Sequence, residues 1–142
     1  MAFGNVLANS LLGWFKGSAF ITAPSTNLYL SLHNGEPGPD GTANDVTATI
    51  AGSRAALAVA DLGAIADSPD DGRQISANAV ITFTSSALAD GTVTHIGVWS
   101  ASTAGSFYGG GPLTQSASVQ AGDIVRIPSG SMRIRARGYV NP

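Results

Sequence analysis

The chain has 142 residues, a length that suits one domain able to bury roughly two-thirds of its unfolded surface. Only 11% of residues are charged and the net charge is −2, so there is no basic field to gather nucleic acid and no acidic tract to hold cations. A hydrophobic content of 44% argues against disorder, and the lack of cysteine excludes disulfides, thiolate metal sites and cysteine nucleophiles.

The first element is an amphipathic helix over Met1 to Lys16, in which Phe3, Leu7, Leu11, Trp14 and Phe15 recur at three- and four-residue spacing. Its apolar residues are interrupted by Gly4, Asn5, Asn9 and Ser10, and Lys16 follows them, which is not the pattern of a secretory signal. No run reaches the roughly 18 apolar residues of a membrane span, so synthesis in a cytoplasm is the expectation. Gly17 and Pro24 end the helix. Residues 1–17 are therefore read as a helical arm and 18–142 as a β-sandwich domain.

A strand follows from Leu28 to His33, with Leu28, Leu30 and Leu32 directed to a core and Tyr29, Ser31 and His33 directed outward. Asn34 to Asn44, rich in glycine and proline, is a loop. A strand is expected over Asp45 to Ile50, and Arg54 to Ala60 is compatible with helix or strand. Asp61 to Gln74 reads as an exposed loop holding four of the nine acids, Asp61, Asp67, Asp70 and Asp71. Ala79 to Thr84 and Val93 to Trp99 alternate as strands, and Asp90-Gly91 between them is a hairpin signal.

Ser106 to Leu113 reads as a further strand that holds Phe107 and Tyr108, interrupted at Gly109, Gly110, Gly111 and Pro112 by a bulge or a close backbone approach. Val119 to Asp123 forms a turn, and Ile124 to Ile127 with Met132 to Tyr139 make a final pair around Pro128 to Gly130. About eight short strands at this spacing predict a mainly β fold, a jelly-roll-like two-sheet antiparallel sandwich with an N-terminal amphipathic helix.

No residues assemble into a recognisable catalytic or cofactor site. His33 ends a strand on its outward face, His95 lies in a strand with no second histidine or cysteine nearby, and no Gly-x-Ser-x-Gly elbow presents a nucleophile. Asp67, Asp70 and Asp71 lack calcium-loop spacing, and the glycine triplet is not followed by Gly-Lys-Ser/Thr. Glu36 with Asp40 or Asp45 is the only other carboxylate cluster that a glycan hydrolase could use. The expectation is a protein without enzymatic activity, metal or cofactor.

Two features point to partners. Arg133, Arg135 and Arg137 alternate with apolar residues and share one strand face; with Arg126 they place four of the seven cations within twelve residues. Such forks pair bidentately with carboxylates, as on a neighbouring subunit, whereas the stacking aromatics needed for single-stranded nucleic acid are missing between them. The second feature is the helix, whose Phe3, Leu7, Leu11, Trp14 and Phe15 each contribute roughly 2–3 kcal/mol if fully buried, either on this chain or in a neighbour. Its polar face lacks the cations of a membrane-surface helix.

The segments Met-Ala-Phe-Gly-Asn-Val-Leu (1–7), Asn-Leu-Tyr-Leu-Ser-Leu-His-Asn-Gly-Glu-Pro-Gly-Pro-Asp-Gly-Thr (27–42), Asn-Ala-Val-Ile-Thr-Phe (78–83), Gly-Thr-Val-Thr-His-Ile-Gly-Val-Trp (91–99), Gly-Pro-Leu-Thr (111–114) and Val-Gln-Ala-Gly-Asp (119–123) resemble a family of small virion proteins of tailed bacteriophages. Members often carry the label tail fibre protein, and similar small β-sandwich proteins serve as cement or decoration proteins on phage heads. The resemblance implies a structural virion protein. The expected function is that of a capsid cement protein on the capsid surface, bridging major capsid protein subunits and copies of itself as a dimer or trimer through the arm and the arginine strand. The alternative is a tail fibre or baseplate component that contacts a host receptor through loops 34–44 and 61–74.

Overall fold

A computed structural model describes residues 2–69 and 72–137. The fold is mainly β, with antiparallel sheets and one long helix near the N-terminus. In chain order the elements are β1 (Ala2–Phe3), α1 (Asn5–Phe15), β2 (Asn27–His33), α2 (Thr47–Ile50), β3 (Ala55–Ala58), a 3-10 turn (Val59–Asp61), β4 (Ala66–Asp67), β5 (Gly72–Ser76), β6 (Ile81–Ser86), β7 (Gly91–Trp99), β8 (Phe107–Val119), β9 (Ile124–Ile127) and β10 (Arg133–Arg137).

The strands form one five-stranded sheet in the order β1-β8-β7-β2-β3, a three-stranded sheet β10-β5-β4 and the pair β6-β9. Leu28, Leu30 and Leu32 of β2, Ile96 and Val98 of β7 and Val119 of β8 share a core with Ile81 and Phe83 of β6 and Val125 and Ile127 of β9. The two-residue repeat of β2 thus does what its leucines dictate: all three are at most 5% exposed. The layer facing the large sheet is divided into two hydrogen-bonded pieces.

Local turn signals misassign the pairing at two places. Asp90-Gly91 does not close a hairpin, because β6 pairs with β9 while β7 pairs with β2 and β8, so this turn carries the chain from one layer to the other. The turn at 128–130 likewise joins β9 to a strand of a different sheet, since β10 pairs with β5 from Arg133↔Ser76 to Arg137↔Gly72. Residues 47–50 are helical where a strand was expected, with Thr47 Oγ1 accepting from the Leu32 N–H at 2.8 Å. Residues 55–58 form a strand paired with β2, and the expected loop at 61–74 contains β4 and the start of β5.

The helix begins later than the periodicity suggests. Phe3 and Ala2 are extended and pair with Gly109 and Gly110 of β8, because the Gly4 N–H donates to the Tyr108 carbonyl and holds the chain against the sheet before the first helical turn. At its other end, Gly17 N–H bonds to Trp14 O and Ser18 N–H to Gly13 O, the paired closure of a Schellman motif. The Ser10 hydroxyl then accepts from the Ile21 N–H at 2.8 Å, folding the connector back along the helix.

The glycine triplet is a close approach, as its composition suggests. A Cβ on Gly109 would stand 2.3 Å from the Ala2 carbonyl oxygen, so only glycine admits β1 to this edge. The same strand bulges at Tyr108, where Val98 pairs with Gly109 but Trp99 pairs with Phe107.

Candidate functional site

The second face of the large sheet is buried, contrary to the outward orientation expected for Ser31 and His33. Both are fully buried because loop 34–44 returns over them. Trp99 Nε1–H donates to Ser31 Oγ at 2.8 Å, and Ser31 Oγ lies 2.7 Å from His33 Nε2. The indole can only donate and the Ala43 carbonyl can only accept, so Ser31 Oγ accepts from Trp99 and His33 carries its proton on Nδ1; the middle bond then follows from the charge of the ring. In the neutral ring Ser31 donates to Nε2, and the proton on His33 Nδ1 donates to Ala43 O at 2.9 Å. Burial favours that neutral ring, holding its pKa below the ordinary imidazole range against the opposing pull of that carbonyl and Asp45.

Aromatic packing completes this face. Trp99 and Phe107 meet with ring centroids 5.0 Å apart. The Arg54 guanidinium lies 3.7 Å from the Trp99 ring centroid, while its Nη1 donates to Ala101 O at 2.9 Å and Ala104 O at 2.7 Å. Loop 34–44 also anchors the arm, because Pro39 O accepts from the Asn5 N–H at 2.8 Å. At the rim, His95 Nε2 donates to Glu36 Oε1 at 3.3 Å with the Thr94 hydroxyl 2.8 Å from Nδ1.

Beyond that anchored root, the arm is uncovered. No residue of α1 is buried; Leu12 is 63% exposed, Trp14 57% and Phe15 73%. Of the apolar residues expected to make contacts, Phe3 and Leu7 line an apolar groove of about 260 Å³ beside Phe20, Ile21, Pro24 and Tyr108. Leu11 is exposed, and Trp14 and Phe15 stack edge to face on each other at 5.2 Å. Val6, Leu12 and Phe20 are also exposed, and the sequence reading does not single them out, although Leu12 adjoins Leu11.

The arginines divide between two sheets. Arg126 lies exposed on β9, opposite Thr82 of β6. Arg133 and Arg135 lie together on β10; Arg133 Nε donates to Gly130 O at 3.1 Å and Arg135 Nε to Gln74 Oε1 at 3.2 Å. The Arg137 backbone continues the β10 ladder opposite Gly72, but its side chain is outside what the structure describes. In the acidic segment, Asp67 pairs with Arg73, and Asp70 and Asp71 lie outside the described residues. Among the described residues no cluster of histidine and acidic side chains has the arrangement of a metal site.

A family model described as podophage GP4 fiber I protein gp80 matches residues 2–135. The chain belongs to that family. It is a structural protein of a bacteriophage virion, in agreement with the virion class expected from the sequence. The gp80 family is named for a fibre, which favours the tail fibre alternative over capsid cement. No curated protein matches the chain.

Proposed function

We propose that the protein is a fibre component of the tail apparatus, with a structural rather than enzymatic role, seated in the virion by its N-terminal arm. The observation that carries this reading is the combination of a fibre-family match over residues 2–135 with a helix whose Leu12, Trp14 and Phe15 are more than half exposed. Burying such side chains against another subunit releases apolar surface from water, and aromatic anchors of this kind dominate contact energies. The partner is another tail subunit or a further copy of this chain, in place of the major capsid protein expected for cement. Loop 34–44 and the sheet it covers give the arm a rigid root, since Gly4 and Asn5 are tied by backbone hydrogen bonds to Tyr108 and Pro39.

The test separates heads from tails and counts copies on each. Copies on tails support the fibre reading, whereas abundant copies on heads restore the cement reading and overturn it. A triple variant, Leu12→Ser with Trp14→Ser and Phe15→Ser, leaves Gly4 and Asn5 untouched and is expected to fold but fail to join the particle. Normal incorporation of that variant would remove the arm from the attachment.

A further inference from the structure

We propose that two copies of the chain pair through their arms about a two-fold axis beside Leu11, so that Trp14 and Phe15 of each helix cover the apolar groove of the other copy. The groove is lined by Phe3, Leu7, Phe20, Ile21, Pro24 and Tyr108. Its volume of about 260 Å³ exceeds the roughly 150 Å³ of a cavity that holds a benzene ring, so it has room for an aromatic side chain. The proposal deepens the attachment reading: it rests on the arm as a contact surface and names the arm's partner as a second copy.

Symmetry, charge and area each select that partner. Leu7, Leu11, Trp14 and Phe15 follow i, i+4, i+7 and i+8 spacing and share a helix face about 100° wide. Leu7 at one end of this stripe lines the groove, Trp14 and Phe15 at the other end are more than half exposed, and Leu11 stands midway. An isologous contact requires this arrangement, because in an antiparallel pair Leu11 meets its own copy while Phe15 of each chain meets Leu7 of the other. Lys16 is the only charged side chain in residues 2–26, so little in this surface repels its own image. Pairing about Leu11 also sets the two Lys16 residues about 15 Å apart along the helices. For area, a whole aromatic residue offers roughly 200 Å². The exposed fractions of Trp14, Phe15, Phe3 (42%) and Phe20 (46%) therefore leave about 400 Å² of aromatic surface on each copy. From aromatics alone, two copies supply most of the roughly 1,000 Å² that a specific interface must clear, before Leu11 is added.

The test is sedimentation of the purified full-length protein, which does not depend on where the protein sits in the particle, so pairing and the fibre placement can fail separately. A concentration-dependent dimer is expected, with a Kd on the order of micromolar for an interface at the small end of the range. It should persist in about 1 M salt, because no ion pair holds it. Leu11→Asp sets two carboxylates against each other at the axis and is expected to weaken the dimer about 100-fold or more, with unchanged far-ultraviolet circular dichroism. Leu88→Asp, at an exposed apolar side chain beyond the end of β6, is expected to leave the dimer intact. Since the chain has no cysteine, single Leu11→Cys and Leu12→Cys variants report the register by disulfide formation under diamide. Leu11→Cys is expected to cross-link about tenfold faster, although Leu12 is the more exposed, because Leu12 lies about 100° round the helix from the axis. The cysteine pair introduces no charge and decides the question even where Leu11→Asp disturbs the helix. A monomer throughout, oligomers larger than a dimer, loss of the dimer in salt, equal losses in the two aspartate variants, or Leu12→Cys cross-linking as fast as Leu11→Cys would each overturn the proposal.

Discussion

Removing one oxygen atom, by Ser31→Ala, tests whether the buried relay beneath loop 34–44 supports the sheet. Ser31 Oγ is the acceptor for Trp99 Nε1–H at 2.8 Å and the donor to His33 Nε2 at 2.7 Å. Ser31 and His33 are both 0% exposed and Trp99 is 7% exposed, so water does not readily replace the hydroxyl. An unsatisfied buried donor or acceptor costs about 1–3 kcal/mol, and two are created at once. The apolar methyl left behind recovers little, since it fills nearly the same volume. The expected loss is about 2–5 kcal/mol, a large share of a typical domain's stability. In urea the midpoint falls while the slope stays constant, because the surface exposed on unfolding is unchanged. Emission from Trp99, followed in a Trp14→Phe background, reports the transition from the affected site. Ser31→Thr, which keeps the hydroxyl, is the control for steric disturbance. A loss below about 0.5 kcal/mol in Ser31→Ala would show that neither partner depends on the serine, and the derived direction of the hydrogen-bond chain would lose its basis.

Three further outcomes follow from the same face. Because burial lowers the His33 pKa, the unfolded chain takes up a proton that the native ring refuses; stability is fully present above about pH 6.5 and falls as the pH drops below it. His33→Gln is expected to flatten that acid limb in urea titrations between about pH 6.5 and 5, and an identical slope would exclude His33 as its source. Gly41→Ala combines a left-handed backbone at φ 77° with a Cβ placed 2.4 Å from Phe107 Cδ2 and 2.7 Å from Trp99 Cζ2. It is expected to cost about 2–5 kcal/mol and to speed amide exchange at Asn5, whose N–H is held by Pro39 O in the same loop. Arg54→Met removes the contact over Trp99 and both carbonyl bonds, for an expected loss of about 2 kcal/mol by thermal melting; an unchanged midpoint would reduce Arg54 to a solvated side chain.

What the sequence made legible was local. Leucine alternation in β2, the helix with its Gly17 stop, and the close approach at the glycine triplet are each set by neighbours a few residues apart. Partner choice was not legible, because Asp90-Gly91 satisfies the chemistry of a hairpin turn whether the strands it joins pair with each other or with β9 and β8. The burial of Ser31 and His33 was missed for a related reason: alternation assigns a face, but only the return of loop 34–44 decides whether that face meets water. A signal was present in the bulky Trp99 and Phe107, which need cover, and in Gly97, where a Cβ would come within 2.5 Å of Ser31 Oγ. The arginine stripe was legible as a pattern on one strand, yet its placement across a cleft from Thr114 depends on a sheet edge that no local pattern announces.

The arm and the covered face form one energetic unit. A short helix of α1's length is marginal by itself in water, so its order must come from its ends and from what it touches. Its N-terminal end is fixed at Gly4 and Asn5 by Tyr108 O and Pro39 O, and its C-terminal end by the Schellman closure and the Ser10 bond to Ile21. Between those ends Leu12, Trp14 and Phe15 remain more than half exposed, which makes the helix ordered but unsatisfied. A subunit that covers Leu12, Trp14 and Phe15 therefore gains their burial without also ordering the backbone that carries them, and that preorganisation favours attachment. Because Pro39 belongs to the loop that also closes over His33, acid that protonates His33 weakens the root as well as the sheet. Loss of incorporation on acid treatment, absent in His33→Gln, would demonstrate the coupling, and equal acid sensitivity of both proteins would refute it.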